Sequence, residues 1–202
     1  LSYTNNLLVV RVDTDNAKNA VATSTAVKIK NFDDYNTNYA NGEGTVGEWA
    51  AKYPGALGNS LKVSLVDANT YVGWTYSSSF SDSPDTSDWA TAKGGTNDEL
   101  HIVVVDTTGA FSGTANTVLE KFGYISKASD AKNTDGSTNY YKDVINTKSQ
   151  YIWWGQHTFS SVLTSLGTAW GSAIPGATGF KGATGAMASF EDSHSAFQSR
   201  RS

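Results

Sequence analysis

Residues 100–106 read LHIVVVD, and this stretch decides the class of fold. The segment Leu100–Val105 has the length and the β-branched content of a strand, and it ends at Asp106 before the turn sequence Thr107-Thr108-Gly109. A second strand near Ala110–Ser112 would complete a hairpin. The stretch therefore predicts an antiparallel pair of strands near the middle of the chain.

Further strands are predicted on both sides of this hairpin from composition or alternation. They are Leu7–Val12, Thr25–Lys30, Leu61–Leu65, Tyr71–Tyr76 and Gln150–Trp154. In the third of them every second residue is apolar, which is typical of a half-buried strand.

Three short helices are predicted between the strands. One covers Gly47–Tyr53 and ends at Pro54-Gly55. A second begins at Asn116, and a third is capped by Ser137 or Thr138. Their apolar residues have helical spacing: Val118, Leu119, Phe122 and Ile125 in the second, and Tyr141, Val144 and Ile145 in the third.

Polar segments separate these elements and are predicted to be loops. They are residues 31–46, 77–95 and 129–136, and Trp89 is expected to fix part of the second loop. The fold class is therefore α+β, mainly antiparallel β with a sandwich-like sheet core and two or three short helices.

Composition excludes several classes of protein. The 202 residues carry a net charge of −4, which gives no electrostatic reason to expect direct nucleic-acid binding. There is no cysteine, so disulfides and cysteine metal sites are impossible. No apolar run approaches the roughly 18–20 residues that span a bilayer, so no membrane partner is predicted.

The polar residues do not form a catalytic motif. A hydrolase would need His101 or His157 beside a serine and a carboxylate, but His101 lies in an apolar strand and neither histidine accompanies a nucleophile elbow. The adjacent carboxylates Asp33-Asp34 and Asp98-Glu99 are interpreted as solvated loop charges. We therefore predict that the chain is not an enzyme, and we assign no catalytic residue.

Two short acidic patterns partly match the loops that bind calcium. Asp13-x-Asp15 and Asn133-x-Asp135-Gly136 supply oxygen ligands, but neither continues to the terminal glutamate of such a loop. No glycine-rich phosphate loop follows a strand. The sequence therefore predicts no metal site and no cofactor.

The aromatic residues leave an alternative open. The six tryptophans, some of them exposed, could form sugar-stacking platforms of a free-standing β-sandwich carbohydrate-binding module. Trp153 and Trp154 are adjacent on a predicted strand, so one is expected in the core and the other exposed or covered by a neighbouring domain or subunit. Burial and assembly explain the tryptophans at least as well as sugar binding.

Three segments, in this order and spacing, resemble the tail sheath family of contractile (myovirus) phages, particularly the T4-like sheaths. They are Glu48–Val63 (EWAAKYPGALGNSLKV), Val103–Ser129 (VVVDTTGAFSGTANTVLEKFGYISKAS) and Asn139–Trp154 (NYYKDVINTKSQYIWW). The stretch LSYTNNLLVVRV at residues 1–12 resembles the strand that precedes them in sheaths.

The resemblance implies an N-terminal or middle portion of a sheath subunit. It implies helical assembly with identical subunits, contacts to tail tube and baseplate through regions outside this chain, a place in the virion and assembly in the host cytoplasm. In such sheaths a β-rich middle domain is followed by a larger subtilisin-like domain without protease activity and a C-terminal region. We therefore expect the chain to be a fragment or a partial subunit.

Three regions are expected along the chain. Residues 1–46 are assigned to a strand-containing segment of a domain completed elsewhere, and 47–160 to a β-rich sheath middle domain. Residues 161–202 are rich in Gly, Ala and Ser, with glycine at every third position from Gly176 to Gly185. Four such triplets without proline are too few for a collagen helix, so a linker or tail is predicted.

Overall fold

The computed structural model describes residues 17–22, 26–40, 46–157 and the strand at 176–179. These residues form two antiparallel sheets and three helices, which confirms the predicted α+β class dominated by antiparallel β structure. The strand predicted at Leu7–Val12 lies outside the described residues. No helix in the described part of the chain is long and apolar enough to cross a membrane.

The first sheet has three strands in the order β1-β2-β6. They are β1 (Asn19–Val21), β2 (Trp49–Pro54) and β6 (Ile152–Trp154). The outer face of this sheet is covered by helix α1 (Phe32–Asn38). Strand β6 confirms the prediction at Gln150–Trp154, although it is shorter.

The second sheet has four strands in the order β5-β4-β3-β7. They are β3 (Leu61–Val66), β4 (Glu99–Asp106), β5 (Thr117–Ser126) and β7 (Gly176–Gly179). Strands β3 and β4 pair without interruption from Leu61 opposite Asp106 to Val66 opposite His101. The predicted strands at Leu61–Leu65 and Leu100–Val105 are thus confirmed as the centre of this sheet.

The main core lies between the sheets and helix α3 (Tyr141–Lys148). One cluster of buried side chains draws on β2 and β6, on β3, β4 and β5, and on α3. Alternate residues of β4, Leu100, Ile102 and Val104, are fully buried in it. The other face of β4 is also buried, at His101, Val103 and Val105. The second sheet is therefore covered on both faces.

Helix α3 confirms the third predicted helix and its buried face. Tyr141, Val144 and Ile145 are all buried against the main core. The predicted cap is wrong, because Tyr140 is the N-cap residue and makes no side-chain capping bond. Thr138 instead accepts a hydrogen bond from the Tyr140 backbone N–H at 3.3 Å, just before the helix.

Two helical predictions are wrong because the segments are strands. Gly47–Tyr53 contributes β2, where Trp49 faces the main core and Ala50 the opposite side. The alanines favour a helix, but pairing with β1 and β6 outweighs that preference. The segment after Asn116 is β5, and Asn116 itself has a left-handed backbone (φ 61°).

Five other expectations are corrected. The loop 31–46 contains α1, because the Asn31 side chain caps the Asp34 N–H at 2.8 Å. The segment 77–95 contains α2 (Asp88–Ala92), capped by Ser87. Three predicted strands are not strands in the structure. Tyr71–Tyr76 forms turns, and Ala110–Ser112 is a turn before β5. Residues 26–30 make only an isolated bridge at Val27.

Within the region for which a linker or tail is predicted, residues 176–179 form a strand. This strand is β7, and it pairs antiparallel with β3, Val63 lying opposite Thr178. Because glycine has a low β propensity, the repeated glycines gave no indication of a strand in the sequence. The other residues of this region lie outside the described part of the chain.

The loop between β4 and β5 contains two glycines with left-handed backbones, and they form a matched test. A Cβ on Gly109 (φ 84°) would lie 2.9 Å from backbone atoms of Thr114, whereas Gly113 (φ 81°) has open space around it. Both Gly→Ala changes carry the left-handed penalty of about 1–2 kcal/mol, and Gly109→Ala adds a backbone clash of about 1–3 kcal/mol. Urea unfolding should rank Gly109→Ala as the less stable variant. Equal midpoints would contradict the tight loop.

Candidate interaction surface

The outer face of the second sheet is covered by residues 67–98 and an aromatic cluster. The ring of Phe80 stacks on His101 at 4.1 Å between centroids, and Trp74 stacks on Phe80 at 5.7 Å. Trp74 also donates its indole N–H to the Ser64 hydroxyl at 2.8 Å. Gly123 permits this packing, because a Cβ there would lie 3.1 Å from the Phe80 ring. This aromatic layer, rather than a cleft, occupies the face opposite the main core.

His101 is fully buried within the aromatic layer. Its Nε2 lies 2.9 Å from the Asp82 carbonyl oxygen, and its Nδ1 lies 3.2 Å from the Tyr124 backbone nitrogen and 3.1 Å from the Leu100 carbonyl oxygen. The prediction of a packed histidine is confirmed. Within the described residues its partners are backbone groups and aromatic rings, which is not the arrangement of a hydrolytic triad.

His101 predicts a pH dependence of stability. Burial lowers the pKa of His101 below its usual 6.5, while the nearby carbonyls of Asp82 and Leu100 oppose the shift. The unfolded chain then binds more protons, so the stabilisation is complete above about pH 6.5 and is lost as pH falls through the folded-state pKa. Urea unfolding at pH 8 and pH 5.5 should show the loss. An NMR titration of the His101 ring with a pKa at or above 6.5 would contradict it.

The pKa of His157 is shifted in the same direction as that of His101, so His157 serves as the control for this measurement. Burial and the charge of Lys142 lower the pKa of His157 as well. Its Nδ1 lies 2.5 Å from the Tyr141 hydroxyl, and its ring packs on Trp154 at 4.8 Å. A His157→Gln variant should therefore keep the part of the pH dependence that belongs to His101. His194 lies outside the described residues.

Three buried carboxylates were missed by the sequence analysis, and each organises a loop. Asp106 accepts backbone N–H bonds from residues 109–112 and hydroxyl bonds from Ser60 and Ser112. Asp98, interpreted above as a solvated charge, is fully buried and joins Ser87 to Ser126. An aspartate beside Ser, Thr and Gly is typical of such turns, and that signal was available for Asp106.

The third buried carboxylate is paired with a lysine. The Lys127 ammonium lies 3.4 Å from Asp67, and both side chains are almost completely buried. Burial lowers the pKa of Lys127, and the Asp67 carboxylate opposes that shift. Asp67 also accepts bonds from Asn69 and Thr70, so it joins the end of β3 to the residues after β5. The sequence carried no local signal for this pairing, since its partners are far apart along the chain.

The other acidic candidates do not converge. Asp33 and Asp34 lie in the first turn of α1, where Asp34 accepts the Lys30 N–H at 2.9 Å. Asp135 accepts the Ser137 N–H at 2.9 Å and so stabilises a turn. Within the described residues, no three His, Asp or Glu side chains come together as metal ligands. Asp13 and Asp15 lie outside those residues, so the absence of a metal site stays a prediction.

The tryptophans are mostly part of the interior. Trp49, Trp153 and Trp154 are buried, and Trp74 and Trp89 are half-buried. The expectation that Trp153 or Trp154 would be exposed, or covered by a neighbour, is wrong. Trp153 is covered by α1 of the same chain, where Tyr35 stacks on it at 5.1 Å. Trp170 lies outside the described residues.

These features define a β-rich α+β body. No family model matches the chain. It is similar to the tail sheath protein of Salmonella phage ViI, with 33% identity over 119 residues. The matched region is 58% of this chain and 17% of that protein, so the chain spans a small part of its relative's length. The similarity supports a tail sheath family and a structural role.

Proposed function

We propose that this chain is part of a structural, non-catalytic subunit of a contractile phage tail sheath. Such a subunit polymerises helically around the tail tube and contracts during genome ejection. The observation that carries the proposal is the similarity to the tail sheath protein of Salmonella phage ViI. The T4-like character and the N-terminal or middle position within the subunit belong to the same proposal.

The packing of the described residues suits this role. A subunit in a helical array needs a body that keeps its shape while its contacts with identical copies change. Both faces of the second sheet are covered, and α1 covers the outer face of the first. An interface of about 800 Å² per partner, repeated along the array, is sufficient for assembly. The contacts can therefore be modest, and the body can move as a unit.

The polar segments 31–46, 77–99 and 129–136 are proposed as outer or inter-subunit surfaces. In the first of them the Phe32 side chain is 54% exposed and offers apolar surface to a neighbouring subunit. Tyr35 of the same helix is buried, so deleting the segment would disturb the fold. A Phe32→Ser substitution is the milder test, and unchanged assembly would remove this helix from the interface.

The remaining assignments follow from the sheath proposal. Residues 1–46 belong to a domain completed by further sequence, 47–160 form the β-rich middle domain, and 161–202 lead toward a later domain. Identical subunits are the direct partners, and tail tube and baseplate are contacted through other parts of the protein. The chain makes no direct nucleic-acid or membrane contact. It is located in the virion after assembly in the host cytoplasm.

Cryo-electron microscopy of the phage particle that encodes this chain tests the proposal. We expect many copies wound helically around an inner tube, with the two-sheet body fitting the density of each copy. Density for the chain outside any helical array would contradict the proposal. A carbohydrate-binding module, the alternative from the sequence, is not favoured because the buried tryptophans cannot serve as sugar platforms.

A further inference from the structure

A surface pocket of about 200 Å³ lies where α2, β4, β5 and the turn at residues 132–139 meet. Its lining combines aromatic rings with polar side chains. The lining residues that bear on its chemistry are Asp88, Trp89, Glu99, Tyr124, Asn133 and Asn139. The volume accommodates one side chain or one small ring, so the pocket is suited to a single group of a partner.

The pocket is rich in hydrogen-bond acceptors. Glu99 Oε2 accepts the Asp85 N–H at 3.0 Å, and within the described residues its other oxygen accepts no hydrogen bond. Asn133 and Asn139 use their amide N–H groups on Ser137 and on the Tyr124 carbonyl, which leaves their amide oxygens available. Asp88 adds an exposed carboxylate. A complementary ligand must therefore supply several donors.

The charge around Glu99 also favours a cation. Burial raises the pKa of Glu99, and the negative charges of Asp98, Asp85 and Asp88 raise it further. The hydrogen bond from the Asp85 N–H lowers this pKa but does not reverse the shift. Lys132 lines the pocket but is exposed to solvent. A cation that enters the pocket would relieve the repulsion among these carboxylates.

The aromatic side chains favour a cation that is flat. Trp89 and Tyr124 both line the pocket. The Lys93 ammonium lies 5.5 Å from the centroid of the Trp89 ring, so the ring already takes part in one cation–π contact. The Tyr124 backbone is held in a left-handed conformation (φ 56°), with its N–H on His101 and its carbonyl on Asn139. The pocket wall is thus fixed before any ligand arrives.

We propose that this pocket binds an arginine side chain of a second copy of the chain. A guanidinium carries five donors and no acceptor, is planar and stacks on aromatic rings, so it matches the acceptors and the two aromatic rings of the pocket. The arginines of the sequence, Arg11, Arg200 and Arg201, all lie outside the described residues. The inference rests on the proposed function, because a sheath places identical copies side by side.

The ligand is tested by titrating the 202-residue chain with N-acetyl-arginine amide. We expect saturable NMR shifts at the Trp89 indole N–H and the Tyr124 amide, and about fivefold weaker binding of N-acetyl-lysine amide. Glu99→Gln, which keeps an acceptor for Asp85, should weaken arginine binding about tenfold. Asp88→Asn should weaken it less, because Asp88 is exposed.

The control for these variants is Asp33→Asn, because Asp33, like Asp88, is an exposed acid in the first turn of a capped helix. It should leave arginine binding unchanged. The proposal is overturned if no saturable shift occurs, if lysine amide binds equally well, or if Glu99→Gln has no effect. Shifts produced by glucose or galactose instead of arginine would identify a carbohydrate site and also overturn it.

The second copy is tested by cross-linking between introduced cysteines, because the chain has no cysteine of its own that could react instead. Asn133→Cys in one chain is combined in another with Val12→Cys, Ser199→Cys or Ser202→Cys, each beside an arginine that stays in place. Particles assembled from the mixture are treated with a flexible thiol–thiol cross-linker, because a direct disulfide would require closer backbones. We expect a cross-link between copies for one of the three combinations. Helical particles without any such cross-link overturn the inference and leave the proposed function intact. If the wild-type chain enters no helical particle, the proposed function itself fails, while the arginine titration still decides the ligand.

Discussion

Asp106→Asn is expected to lower the free energy of unfolding by about 3–5 kcal/mol. The Asp106 carboxylate is fully buried and accepts backbone N–H bonds from residues 109–112, together with hydroxyl bonds from Ser60 and Ser112. Asparagine keeps one acceptor oxygen and turns an NH₂ donor toward the other N–H groups. Several buried donors then lose their acceptor, each at about 1–3 kcal/mol, partly offset by rearrangement of the loop.

Urea unfolding at pH 7 measures this effect, and an unchanged slope would show that the compactness of the two states is unaltered. Asp135→Asn is the control, because Asp135 also accepts bonds from a nearby serine, Ser137, but is exposed. It should leave the stability nearly unchanged. A loss below about 1 kcal/mol for Asp106→Asn would show that the carboxylate does not organise the loop.

The Asp106 carboxylate should also remain charged in acid. Burial alone would raise its pKa, but hydrogen bonds from Ser60, Ser112 and the Phe111 N–H outweigh burial and hold the pKa well below its usual range. The stabilisation is therefore present above about pH 4, the pKa of an unfolded aspartate, and is lost as pH falls through the folded-state pKa.

Trp154→Ala is expected to cost about 3–5 kcal/mol. The Trp154 ring is buried in the main core, and its indole N–H donates to the Tyr141 hydroxyl at 2.9 Å. The Lys142 ammonium lies 4.2 Å from the ring centroid on the surface side. Removing the ring creates a cavity between the first sheet and α3 and leaves the Tyr141 hydroxyl with one donor fewer.

The matched control is Trp89→Ala, which removes a half-buried ring from a small cluster of alanines. It should cost clearly less than Trp154→Ala, about 1–2 kcal/mol, because part of its surface already contacts water. Thermal unfolding followed by near-ultraviolet circular dichroism compares the two. Equal losses would mean that Trp154 does not hold the sheet and the helix together.

The elements with unambiguous local signals could be predicted from the sequence. The apolar run at Leu100–Val105, the alternation at Leu61–Leu65 and the apolar face of α3 all correspond to observed elements. Each is buried in the way its pattern requires, so local preference and tertiary packing agree there.

Strand β5 could not be predicted, because its pairing is irregular. Phe122 lies opposite Ile102 and Ile125 opposite Leu100, so β5 advances three residues where β4 advances two. Such a bulge places Leu119, Phe122 and Ile125 at the main core with a spacing that resembles a helix. The period of the apolar residues therefore indicated the wrong element.

The buried polar groups of the candidate surface were hidden for a different reason. Asp67 and Lys127 pair across the second sheet, and Asp98 joins α2 to β5. No spacing pattern in the sequence indicates contacts between residues that lie so far apart along the chain. The pocket between α2, β4 and β5 is likewise made of separate segments, and only the folded chain brings Trp89 close to Asn133.

The pairing of β3 with β7 determines when the protein can fold during its synthesis. Leu65 lies opposite Gly176, so the central sheet gains its fourth strand only after more than a hundred further residues have been translated. Until then β3 has a free edge, and the emerging chain must avoid pairing with neighbouring nascent chains. The risk of aggregation of the nascent chain is therefore expected to fall once β7 has been translated and has paired with β3.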